Sequence, residues 1–570
     1  MKNLFYLFLG VIFLCLQIPM AVTGQDFLKN SSVSGSFQAD AAYYLRDSKM
    51  GITDSTLDGK LIRMNTYTEV NYSIGNFSAG LRFEAYLPPL IGYDIQNDGL
   101  GVPYWYVNYK NDKIDITAGN FYEQFGNGLM FRTYQEWTLG YDNSLRGIRV
   151  KFMPIKGITL KGVYGVQRDY WVQFKDNNRG VVKGFDADFY LNDIFTKMSD
   201  SKVKLTFGGS FVSDYQKGKT MTVIENHKLY ELKLPENVAT YGGRVNLDVG
   251  GFNFYTEYAY KINDPSAMNN YIYKNGDALF TSLSYSRTGL GISLKAKRID
   301  NMSYKSDRTV TNNQLDINYL PSVTTEHTYA LASMYPYATQ PNGEFGFAGT
   351  ITLKVKKNSK LGGKNGLSVS LNYSQVNGIG KKPLNDTTTV DQTGTLGYTS
   401  SFFDISNELY YRDLNIEINK KFGKKWKGIF TYYYINYNKD VVEGHTDQYG
   451  IVYSHTGVVD LTYLITKKVS LRGELQGLFT AEDKGNWVAG LLELTISPKW
   501  FFSVMDQWNY GNPVSSQRLH YYLVSAGFNY NTTRVSLSYG RQREGILCIG
   551  GVCRYVPAST GLTLTITSSF

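Results

Sequence analysis

Apolar and polar residues alternate with period two along one segment of this chain after another. Val33, Phe37, Ala39, Tyr43 and Leu45 share one face of an extended segment, and Ser34, Gln38, Asp40 and Arg46 share the other. Ile62, Met64, Val70, Tyr72 and Ile74 then alternate with Arg63, Asn65, Glu69 and Asn71. After the turn signal Gly75-Asn76, the residues Phe77, Leu81, Phe83 and Leu87 alternate with Ser78, Arg82 and Glu84. Such a period puts every second side chain on the same side of a strand, so each strand has one apolar and one polar face. The Gly-Asn pair between two such runs predicts a hairpin.

A soluble sandwich also alternates, so the connections have to decide. Short ones are expected near Gly75-Asn76, Asn111-Asp112, Pro154-Lys156, Gly250-Gly251, Arg287-Thr288, Gly423-Lys425, Thr466-Lys468, Pro498-Lys499 and Asn531-Thr532. Long ones are expected at 47–59, 88–102, 121–144, 168–179, 214–237, 263–275, 300–342, 378–403, 439–450 and 544–558. Short turns alternating with long loops are the pattern of an outer-membrane barrel, with turns in the periplasm and loops outside. The prediction is an all-β fold: a single transmembrane antiparallel β-barrel of about 24 strands, within a range of about 20–26. Such a barrel is roughly 45–50 Å across, too wide for its own strand side chains to fill.

Composition agrees. Tyr (47), Phe (31) and Gly (56) are abundant, Pro (14) is scarce, and mean hydropathy is -0.29. A helical membrane protein needs apolar spans of about 20 residues, and none follows the first segment. Lys2, the apolar run Leu4–Leu16 and the small-residue exit ending at Gly24 read as a secretory signal peptide. The expected organisation is therefore a leader over 1–24 and a barrel over 25–570. Cys15 lies inside the apolar run without a small residue before it, which argues against a lipoprotein cleavage site. Cys548 and Cys553 flank Ile-Gly-Gly-Val and are expected to form a disulfide at a loop tip in an oxidising compartment. A metal site at the same pair lacks a nearby His to complete it. The chain ends on an amphipathic strand closed by Phe570, with Leu562, Leu564 and Ile566 on one face and Ser568 interrupting it. This resembles the signal read by the bacterial barrel-assembly machinery, so that machinery is an expected partner, alongside outer-membrane lipid and lipopolysaccharide.

The third predicted external loop stands apart. It runs from Gly119 through Glu123 to Leu129, then through Arg132, Glu136 and Trp137 to Leu139, and closes with Tyr141-Asp142-Asn143-Ser144-Leu145-Arg146-Gly147. Acids and arginines among aromatics suit a channel constriction, where opposed charges orient polar solutes. Glu123, Arg132 and Glu136 are constriction candidates, with Arg146 and Arg149 as opposing cations. The bland reading is a packed plug or the extended rim of two strands. The stretches Gly119–Leu129 and Leu139–Arg149 resemble a family of uncharacterised outer-membrane barrels of Bacteroidota. The resemblance implies a porin-like architecture in the bacterial outer membrane and brings no activity or catalytic residues.

Other classes fit less well. The first predicted strand starts too early to leave room for the N-terminal plug of a TonB-dependent receptor. An outer-membrane hydrolase needs a His with Ser, Asp or Asn partners; the five His are His227, His327, His445, His455 and His520. Only His445, beside Glu443 and Asp447, is enzyme-like locally, and no nucleophile motif accompanies it. No metal or cofactor site and no nucleic-acid motif is evident, and Gly208-Gly209 and Gly242-Gly243 read as barrel bends. The expected function is a passive diffusion channel for small polar solutes, with an inward-folded third loop. The alternative is a structural or export-associated barrel, with 300–342 and 378–403 docking a lipoprotein or secretion partner.

Overall fold

The computed structural model describes residues 31–171, 180–218, 221–225 and 228–570. The expected leader and His227 lie outside the described residues. The chain forms one sheet of 24 strands, each antiparallel to its neighbours. The first strand, Ser31–Tyr44, pairs along one edge with Ile62–Ile74 and along the other with the last strand, Ser559–Ser569, so the sheet closes on itself. Closure leaves no unpaired edge, which a hydrocarbon environment requires. The expected strand number and architecture are observed. Among the described residues, two short helices, Leu191–Ile194 and Lys439–Glu443, sit between strands.

The two faces differ as the alternation demands. On Phe77–Tyr86, Phe77 (55%), Leu81 (47%) and Phe83 (37%) are exposed on the outer surface, whereas Arg82 and Glu84 on the opposite face are fully enclosed. A β-bulge interrupts the register with the next strand between Arg82 and Glu84. Large apolar side chains are exposed on most of the strands, the band that a transmembrane barrel presents to lipid. Aromatic pairs gather at the short-turn end: Phe77 on Tyr109, Phe252 on Tyr285, Trp426 on Tyr463, and Trp500 on Phe528. They form the girdle expected at a membrane interface. Both barrel ends, Ser31 and Phe570, lie at this end, the periplasmic side of an outer-membrane barrel.

Two short-end connections, 191–202 and 356–366, are longer than the tight turns beside them, and 480–486 and 509–519 join strands at the long-loop end. The expected series of connections omits these four, although Gly485-Asn486 and Gly511-Asn512 carry turn chemistry.

Candidate functional site

The lumen, not the rim, holds most of the buried chemistry. The third loop, 122–144, folds inward, and Phe125, Leu129, Met130 and Phe131 have no accessible surface. Gly126 makes this entry possible. It takes a left-handed φ of 52° and lies so close to the Glu257 carboxylate that a Cβ would collide with it. Asn127 N donates to Glu257 Oε2 at 2.6 Å, which ties the loop to the wall.

A second inserted segment, 301–343, lies against the first. Arg132 N donates to Ile317 O and Tyr319 N to Gly128 O, both at 2.9 Å. Asn143 Nδ2 and Gln167 Nε2 both donate to Asp316 O, at 2.8 and 2.7 Å. Met302, Tyr304, Ile317, Leu331, Tyr335 and Tyr337 bury their side chains in the same core as the third loop. That core includes Val182 on one wall and Leu478, Trp487 and Ala489 on the other. Val181–Tyr190 and Trp487–Ile496 are the eighth and twentieth strands of the ring of 24, half a turn apart. One hydrophobic core therefore crosses the lumen from wall to opposite wall. Each fully buried Phe, Leu or Met contributes roughly 1.5–3 kcal/mol, so withdrawing either loop is costly.

The nominated charges fall into different settings. Arg149 and Lys161 on the inner wall hold Glu123 of the third loop in a ladder of alternating sign. Arg149 meets Asp115 at 2.5 Å and Glu123 at 3.5 Å; Lys161 meets Glu123 at 3.2 Å and Asp186 at 3.7 Å. Arg244 continues it, 2.8 Å from Asp186 and 2.5 Å from Asp188. Gly208 leaves the space into which the Arg244 guanidinium fits, and Gly209 and Gly243 face each other across neighbouring strands. Arg132 instead lies between the rings of Tyr134 and Tyr319, 4.4 and 4.1 Å from their centres. Glu136 caps a single helical turn by accepting from Thr138 N at 3.0 Å. Arg146 donates to Pro103 O at 2.8 Å and to Asn120 Oδ1 at 3.4 Å. Of the five, Glu123 and Arg149 meet, while Arg132, Glu136 and Arg146 each have partners of their own.

A denser charge cluster joins the third loop to the wall at Arg82. Its guanidinium contacts Glu84 at 2.7 Å, Tyr122 Oη at 3.1 Å, and also Asp142 and Gln135. Arg168 binds the same two acids, with 2.7 Å contacts to Glu84 and to Asp142. The Arg82 guanidinium also lies over the rings of Tyr104 and Trp137. Burial raises the Asp142 carboxyl, but Arg82 and Arg168 more than offset this and hold it below the usual carboxylate range. On the second segment the balance reverses: burial keeps the Asp316 carboxyl above its ordinary value despite Lys305 at 2.5 Å. Sequence reasoning missed the Arg82 cluster. The available signal was a polar Arg-Phe-Glu alternation on the lumen face, but no local pattern announces a partner 60 residues away.

Over these loops lies the hairpin Gly545–Ile549 and Val552–Val556, whose Cys548 and Cys553 are disulfide-bonded with a Cα–Cα distance of 4.0 Å. Its tip rests on the second segment, since Tyr319 Oη donates to Gly550 O at 2.7 Å and Thr339 N to Gly551 O at 3.1 Å. Arg554 reaches the third-loop side, over the Tyr93 ring and donating to Thr138 O.

The described histidines are scattered. His327 bonds Asp413 inside the lumen, His455 bonds Tyr432, His520 bonds Asp506, and His445 is 3.3 Å from Glu443. Among the described residues no three His, Cys, Asp or Glu side chains are grouped to hold a metal.

All of the chain, residues 1–570, matches the model of a family of unknown function, DUF6029. The protein belongs to this family. No curated protein matches it. Among solved structures it is similar to the siderophore receptor PirA from Pseudomonas aeruginosa, at 10% identity and a TM-score of 0.41, over 94% of this chain and 80% of that one. It is similar to the outer membrane protein opdK from Pseudomonas aeruginosa, at 9% identity and a TM-score of 0.35, over 95% and 98%. It is also similar to the translocation pore of the P pilus usher PapC, at 10% identity and a TM-score of 0.30, over 94% and 99%.

Proposed function

We infer that this chain is an outer-membrane transport barrel that its own loops shut at rest, and that it passes a small polar solute only when the plug moves. The observation that carries this reading is the single hydrophobic core joining opposite walls through 122–144 and 301–343. A passive diffusion channel with an inward-folded third loop, the expectation from sequence, would keep a wet path beside that loop instead. The charged inner wall from Asp115 to Arg244 supports a polar cargo, because apolar solutes gain nothing from alternating charges.

Recording in planar bilayers tests it. The native protein is expected to show no steady conductance. A variant with 305–336 replaced by a short Gly-Ser linker, and still shifting its gel mobility on heating as a folded barrel does, is expected to conduct in steps. Steady conductance of the native protein overturns the closed reading in favour of an open porin.

A further inference from the structure

The formal charge of +10 is not spread over the molecule. Four successive short-end turns, 356–366, 422–425, 465–468 and 497–499, join the fourteenth to twenty-first strands, a third of the ring. The segments 354–366, 420–427, 465–468 and 497–499 carry thirteen lysines and no acidic residue. All of them except Lys420 are exposed. Among the described residues, none of the thirteen has a carboxylate partner within ion-pairing distance. The opposite end of the barrel neutralises many of its cations: Lys60 with Asp98, Lys439 with Asp483, Lys484 with Glu544, and Arg541 with Asp47. Unpaired like charges closer than the Debye length of about 8 Å repel one another. An external anion is what turns such an arrangement from a cost into a binding surface.

Two polyanions could meet this arc: the phospholipid headgroups of the adjoining leaflet, or an acidic protein. The pleat separates them. Leu353 and Trp426 lie on the lipid-facing side, so Lys354 and Lys427, next to them in sequence, point toward the periplasmic mouth of the lumen. Lys356, Lys357, Lys360 and Lys364 stand on the longest of the four turns, past the ends of the strands. Its tip carries Leu361, 77% exposed in the midst of these cations. We propose that this basic arc is the docking surface for an acidic periplasmic protein segment, one rich in Asp and Glu with an apolar side chain to cover Leu361. None of these lysines belongs to the plug, so the surface stands whether or not the barrel is closed at rest.

The probe is a fluorescent polyglutamate peptide of about 20 residues, titrated by anisotropy onto the full barrel in zwitterionic nanodiscs at about 50 mM and about 300 mM salt. Binding that weakens with salt is expected. A rim variant with K356Q, K357Q, K360Q, K364Q, K424Q, K425Q, K467Q and K468Q is expected to bind at least about tenfold more weakly. The control K49Q/K217Q/K382Q, at the other end, is expected to bind as the native protein does. Absence of binding at low salt, or equal binding by the rim variant, overturns the proposal. The same titration in phosphatidylglycerol nanodiscs separates the two polyanions. Retained peptide binding supports a protein partner, and its loss assigns the arc to lipid headgroups and overturns the proposal.

Discussion

Arg82 has no accessible surface and yet carries a full charge amid Glu84, Asp142, Gln135 and Tyr122. A buried cation is tolerable only while its acids stay ionised and in place. Removing it as Arg82→Met strands Glu84 against Arg168 alone, and the expected loss is about 3–5 kcal/mol in denaturant unfolding of the refolded barrel. A loss of a few tenths would mean the cluster contributes nothing net. The same site carries a pH dependence with a defined sign. The Asp142 carboxyl is held below its unfolded value by Arg82 and Arg168, so its contribution is complete above about pH 4 and is lost as the pH falls through the folded value. Protection from hydrogen exchange over 122–144, taken relative to the intrinsic amide rate at each pH, is expected to fall progressively below about pH 4. Asp142→Asn is expected to exchange faster already at neutral pH and to show a flatter profile. Parallel profiles for the two proteins would remove Asp142 from the plug's acid response. That Arg82 and Glu84 face the lumen is legible from the alternation on Phe77–Tyr86. Their union with Asp142 is not, because it depends on how a distant loop folds back.

At the scale of elements, the loops differ in what their sequences disclose. The third loop was legible as an unusual segment because acids, arginines, aromatics and glycines crowd together there, and it is inside the lumen. Segment 301–343 reads as an ordinary long polar loop, suited to docking a partner. Its apolar residues, such as Met302, Ile317, Leu331 and Tyr335, have no regular spacing, since a plug packs without the 2.0 or 3.6 period on which pattern reading relies. The hairpin Gly545–Val556 was legible only through its two cysteines. Its disulfide closes a short loop, so removing it acts locally more than on the whole molecule. Cys548→Ser with Cys553→Ser is expected to leave the unfolding midpoint of the barrel nearly unchanged while trypsin cleaves faster at Arg543 and Arg554. The reason is that the tip contacts with Tyr319 and Thr339 would then be held by a hairpin free to fray. Unchanged cleavage would show that these contacts fix the hairpin without the covalent bond.

Across the whole molecule, the ring depends on its last strand. Every wall strand other than the first pairs with the strand before it in the wall, and only Ser31–Tyr44 with Ser559–Ser569 joins residues from opposite ends of the chain. The barrel therefore cannot close until the C-terminus has been made and placed. Strand number follows from local alternation, and the third loop's inward course from its composition, so both could be read in advance; the joining of 122–144 and 301–343 into one core across the lumen is a global outcome and could not. Phe570 sits at the seam, with Gly35 N donating to Phe570 O at 2.9 Å and Phe570 N to Gly35 O at 3.0 Å. The residue is 66% exposed and its ring rests on Gly35, so it contributes little to packing of the finished barrel. If the assembly machinery reads this ring, Phe570→Ala should keep both backbone hydrogen bonds and nearly all the stability of the purified, refolded protein. Cells should nonetheless accumulate less heat-modifiable barrel, with the unassembled chain degraded. Equal stability with equal assembly would remove Phe570 from recognition. A matching fall in both would assign the ring to the seam itself.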